Sequence, residues 1–236
     1  MIKRIAQTAG FTGLLCALWL TVLQSFWVSP LILQAETFEN APAAAMTSQP
    51  LVASHEHSGA VAEHEHDGQA WEPEDGWQRL LSTTGGNLVV AVGFALMLAG
   101  LYTLRAPGRT AEGLLWGLAG YVVFGLAPTL GLPPELPGTA AADLTQRQIW
   151  WASTAASTAV GLALIVFGRH WLFKLAGAVI LVIPHWIGAP QPQTHASLAP
   201  AALESQFVVA AQLTNAAFWL ALGLISAWLY RRKGSA

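Results

Sequence analysis

Six apolar stretches, roughly residues 5–28, 88–104, 114–130, 149–168, 172–189 and 207–230, constrain this chain more than any other feature. A helix needs about 20 mostly apolar residues to cross roughly 30 Å of hydrocarbon. In lipid, only helices and closed barrels satisfy every backbone hydrogen bond. Each stretch is long enough to cross, so the spacing predicts an all-α, polytopic membrane helix bundle of six spans. The fifth stretch is the weakest, with Lys174 near its start and Pro184 near its end. A five-span bundle, with that stretch re-entrant or interfacial, is the alternative. Composition agrees: a soluble domain carries about 25% charged residues, and this chain has 10%.

Basic residues orient the spans. Counting from an inside N-terminus, the inside segments hold Lys3, Arg4, Arg105, Arg109, Arg169, Lys174, Arg231, Arg232 and Lys233. The outside segments hold only Arg79 and Arg147. This bias recurs at every turn and predicts cytoplasmic termini in a bacterial inner membrane. Of the 13 acids, Glu112 alone falls inside. Lys3 and Arg4 before an apolar run, with "APAAAM" further on, also resemble a signal peptide. The run continues to about Leu33, beyond the usual 7–15 residues of such a core, so residues 1–28 read as an uncleaved first span.

Residues 29–80 form the one large polar region, an acidic outer loop, and residues 81–236 the remaining five spans with short loops. The loop holds nine acids against Arg79. Its centre, "NAPAAAMTSQPLVASHEHSGAVAEHEHDG", has no helix or strand period and reads as disordered. Gly113-x-x-x-Gly117 and Ala152-x-x-x-Ala156 in the spans have spacings suited to close helix packing.

Four of the seven histidines, His55, His57, His64 and His66, fall within that loop centre. Imidazole and carboxylate are ligands for borderline divalent metals such as cobalt, nickel, zinc and copper. In an extended "HEH" both imidazoles lie on one side, so the two pairs together supply ligands for one exchangeable ion. The plainer reading is a solvated acidic segment in which histidine is incidental. Cys16, the single cysteine, excludes a disulfide framework or a CxxC site.

Ionisable groups inside the spans are almost absent, and those near a membrane face merit attention because burial in lipid is costly. His185 follows Pro184 near the outer end of the fifth stretch, where it either opens a polar path or sits in the aromatic belt beside Trp186. Gln212, Thr214 and Asn215 give the last span polar character, as interhelical hydrogen-bond glue or as the lining of a path. His170 and His195 read as flanking residues.

Several functions are excluded as self-contained activities. There is no GxxxxGK[ST] for ATP hydrolysis and no HExxH for a zinc protease. A membrane haem protein needs facing buried histidines. Nucleic-acid binding needs a basic face rather than scattered anchors. No acid/base constellation within the spans points to an enzyme.

The blocks "LILQAETFE", "WEPEDGWQR", "FGLAPTLGLPPELPG", "DLTQRQIWW" and "PHWIGAPQP", with the histidine-rich insert between the first two, resemble the CbtA family of cobalt transporter subunits found in cobalamin-linked gene clusters. The resemblance spans nearly the whole chain. It implies a component of cobalt uptake working with a small single-span CbtB partner, and it carries over no catalytic residues. Residue chemistry alone leaves nickel or zinc as alternative cargo. A membrane-anchored metal-binding protein or metallochaperone that conducts nothing is the second reading.

Overall fold

The structure, a computed structural model, describes residues 1–47, 73–194 and 196–233. Every apolar stretch is helical, and no strand occurs among the described residues. In chain order the helices are α1 (Ile2–Leu23), α2 (Ser29–Thr47), α3 (Trp77–Leu104), α4 (Glu112–Tyr121), α5 (Ala127–Thr129), α6 (Leu144–Phe167), α7 (Trp171–Ile187) and α8 (Ala201–Arg232). Two π-turns interrupt this series without breaking the rods: π1 (Gln24–Val28) joins α1 to α2, and π2 (Val122–Leu126) joins α4 to α5.

Four helices are long and apolar enough to cross a membrane: Ile2–Ala41, Trp77–Leu104, Leu144–Phe167 and Ala201–Arg232. The apolar α7, 17 residues long, is shorter. The rod formed by α4, π2 and α5 ends at Thr129, where Leu130 to Pro134 turn away.

Helix continues past residue 28, into the segment expected as loop. Pro30 falls beside π1, where its missing N–H is tolerated by the altered hydrogen-bond register. Ala35 is then fully buried, with Leu31, Ile32 and Phe38 packed around the start of α8. Burial of this face, more than propensity, holds α2 in place.

Three close crossings build the bundle. At Gly13, α1 meets α3, and a Cβ there would lie 2.8 Å from the Val92 backbone. Gly113 and Gly117 on α4 pack on Gly223 of α8, and Gly161 on α6 packs on Gly177 of α7. Glycine lets the backbones approach where apolar area alone drives no association. Gly113 and Gly117 thus act as their spacing predicts. Ala152 and Ala156 instead point outward, because the buried face of α6 is formed by Trp150, Thr154, Thr158 and Gly161.

Candidate functional site

The ends of the bundle differ in chemistry. At one end the bases fasten helices together. Arg4 donates from Nε to the Tyr230 carbonyl at 2.8 Å and lies 3.6 Å from the Tyr230 ring centroid. Lys233 Nζ donates to Gln7 at 2.9 Å, and Arg105 lies 4.9 Å from the Phe167 ring centroid. Arg109 pairs with Glu112, the one acid at this end.

At the opposite end lie Glu36, Asp75, Glu135 and Asp143, and the motif blocks meet there in pairs. Glu36 of α2 holds Arg79 of α3 through two hydrogen bonds, at 2.9 and 3.2 Å. Asp75 adds a contact to the same guanidinium at 3.1 Å. Glu135, in the loop after α5, pairs with Arg147 of α6 at 2.9 Å. Thr139 bridges to Ser197, linking that loop to the one before α8. Asp143 caps α6 by accepting from the Gln146 N–H at 3.0 Å. The two bases expected outside are both used in these ion pairs. Segments far apart in sequence therefore close into a collar.

His185 belongs to this collar. Its ring is half-buried, 5.9 Å from that of Trp150 and nearly perpendicular to it. Trp150 also donates Nε1–H to the Pro184 carbonyl at 3.3 Å. Pro184 has no N–H to offer the carbonyl of Ile180, one turn earlier. An open groove of about 480 Å³ runs alongside, lined in part by Gln146, Trp150, Ser153 and Pro184. No group of three His, Cys, Asp or Glu side chains placed to hold a metal ion occurs among the described residues. His185 thus sits beside an indole rather than among carboxylates. The histidines His55, His57, His64, His66 and His195 lie outside the described residues.

The polar residues of α8 divide. Gln212 bonds the Thr129 hydroxyl and accepts from Tyr121 Oη at 3.2 Å, across π2. Asn215 packs its amide against Gly125, in that same π-turn. Thr214 is 2% exposed, and its hydroxyl has no hydrogen-bond partner.

A second polar patch escaped the sequence reading. Asn87 of α3 donates from Nδ2 to Thr21 Oγ1 at 3.0 Å and to Gln24 Oε1 at 2.7 Å, beside π1. A lone asparagine after "TTGG" reads as a helix-end residue. The signal available was a pair of amides, Gln24 inside the first apolar run and Asn87 at the edge of the second.

No curated protein and no solved structure matches this chain. A family model described as "Probable cobalt transporter subunit (CbtA)" matches residues 2–231. With all five resembling blocks inside that range, each joined to another by the ion pairs and the Trp150 contacts of the collar, the chain belongs to the CbtA family.

Proposed function

We propose that this chain is the membrane component of a divalent transition-metal uptake system, taking cobalt before nickel or zinc. It captures the ion at its outer face and passes it inward. The polarity of the bundle carries this reading, with acids and His185 at one end and nine bases at the other. An end where acids outnumber bases raises the local concentration of cations. The family description supports cobalt as cargo and, by the word subunit, the existence of other chains. A small single-span CbtB-like protein is the proposed partner, in a cobalamin-linked role.

In this reading the chain crosses the bacterial inner membrane six times, with both termini cytoplasmic. His55, His57, His64 and His66 gather metal in the outer segment, His185 receives it at the membrane face, and Gln212, Thr214 and Asn215 line the way through. Cysteines introduced at Ala141 and Gln193, in a Cys16→Ser background, should react with an impermeant thiol reagent on intact cells. A cysteine at Ala106 should react only after permeabilisation. Labelling at Ala106 from outside would break the six-span arrangement.

Radiolabelled cobalt uptake is the deciding experiment, in cells with and without the gene and in proteoliposomes of the purified protein with its partner. Replacing the four loop histidines by alanine should lower uptake several-fold at scarce metal and leave it nearly unchanged at abundant metal. A collector outside the path concentrates ions without forming it. A peptide of residues 54–68 should bind cobalt with affinity that falls below about pH 6, where imidazoles protonate. The non-conducting metallochaperone is the second reading, favoured by the engagement of Gln212 and Asn215 in interhelical contacts. Proteoliposomes that bind cobalt yet never admit it would establish that reading instead.

A further inference from the structure

The patch at π1 stands apart from the α8 residues that bridge to π2. It joins Thr21, Gln24 and Asn87, and Ser25 Oγ donates to the Thr21 carbonyl at 2.8 Å. By helix register, Thr214 of α8 falls at the same level. The two rods run antiparallel, with Arg4 at Tyr230 and with Val28 and Phe207 in one core, and this register sets residue 214 abreast of residue 21. Thr214 lies between Phe207 and Phe218 on the buried face of α8, and its hydroxyl lacks a partner. Thr21 lies about 25 Å along α1 from Arg4, at 1.5 Å per residue, so the patch is within the membrane's depth.

Its chemistry selects a ligand. The side chains are hydroxyls and amides, none of which titrates near neutral pH, so the patch is not a proton carrier. Cobalt, nickel and zinc favour imidazole and thiolate, and a set of neutral oxygens suits them poorly. Neutral oxygens are the donors that replace the hydration shell of alkali cations inside membranes. Asn87 Nδ2 now occupies the point where Thr21 Oγ1 and Gln24 Oε1 converge. Half a turn of that amide puts Oδ1 there instead, with the Thr21 and Gln24 oxygens 3.0 and 2.7 Å away, close enough for all three to contact one cation. Amide orientation is free to follow the hydrogen-bonding demand of whatever sits there. The Thr214 hydroxyl, buried and unsatisfied, is a further oxygen whose desolvation a cation would offset.

We propose that Thr21, Gln24, Asn87 and Thr214 form an intramembrane binding site for an alkali cation of sodium's size. This goes beyond the cobalt reading and does not rest on it, since its test follows sodium rather than transported metal. The test is thermal unfolding of the purified full-length protein in detergent, in sodium, potassium or choline chloride at equal ionic strength, with no transition metal present. Sodium should raise the unfolding temperature by a few degrees over choline, saturably, with potassium weaker. Thr21→Val and Thr214→Val preserve side-chain volume and should abolish the shift. Thr158→Val, which removes an equally buried hydroxyl on α6, should leave it intact. Equal unfolding temperatures of the unaltered protein in sodium and choline would overturn the proposal and reduce the patch to hydrogen bonding between helices. A sodium shift that survives both valine substitutions would overturn it as well.

Discussion

Gly223→Leu is expected to prevent the bundle from assembling, leaving little folded protein after detergent extraction. A Cβ at that position would lie 2.1 Å from the Gly113 carbonyl oxygen and 2.6 Å from the Gly117 nitrogen. Both obstacles are backbone, so no side-chain rotation relieves them and α4 must part from α8. Overpacking a core costs about 1–3 kcal/mol where side chains can shift, and separating two backbones should cost at least the upper figure. The damage would spread, because Trp219, one turn earlier on α8, is 1% exposed and stacks with Phe124 of π2. Gly10→Leu is the control, since nothing lies within 4 Å of a Cβ there. Thermal unfolding and size-exclusion profiles read the comparison. An unfolding temperature for Gly223→Leu equal to the unaltered protein's would show that the α4–α8 crossing is not a determinant of stability.

His185→Ala is expected to lower cobalt uptake roughly tenfold even at saturating metal, in line with the 10–100-fold cost of disturbing groups around a metal position. That response would differ from the loop variant, whose deficit disappears as metal is added. His185→Gln separates the causes: it keeps hydrogen bonding and bulk but is a poorer ligand for cobalt. Trp150→Phe, which retains an aromatic wall and loses the bond to the Pro184 carbonyl, reports whether ring position matters. If the glutamine variant transports normally at equal expression and equal unfolding temperature, His185 is a packing partner of Trp150 and the ion passes elsewhere.

The sequence made helix content and the end-to-end division of charge legible, because both follow from lipid as solvent. Apolar runs had no other way to satisfy their backbones, and the bases that sorted to alternate turns do gather at one end, as Arg4 and Arg105 show. The contacts inside the bundle were hidden. In a helix apolar on every side, such as α8, periodicity does not distinguish the face toward lipid from the face toward protein. Ala152 and Ala156 were therefore as plausible a crossing as Gly161, and only Gly161 serves. The π-turns leave no compositional trace, so Gln24 and Asn87 gave no sign of meeting. The reach of α2 was missed because its burial depends on Leu203 and Phe207, over 160 residues later. For the candidate site, Glu36, Glu135 and His185 were expected at a common end, whereas their contacts with Arg79, Arg147 and Trp150 depend on tertiary placement.

The clasp between Glu36 and Arg79 has an evolutionary corollary. It fastens the base of the segment that carries the histidine pairs, so the collar is complete whatever hangs from it. Lengthening a closed loop is cheap, about 0.6 kcal/mol for each doubling. Descendants of this gene are therefore free to gain, lose or duplicate "HEH" units there without renegotiating the fold. If the histidine pairs gather metal as proposed, the appetite for scarce metal is a quantity that drift and selection can tune by slippage of a short repeat, independently of the slower-changing machinery in the membrane. Among relatives, the span between the two clasped residues should vary in length and histidine number far more than any other part of the chain, while acid and arginine at its base change together or not at all.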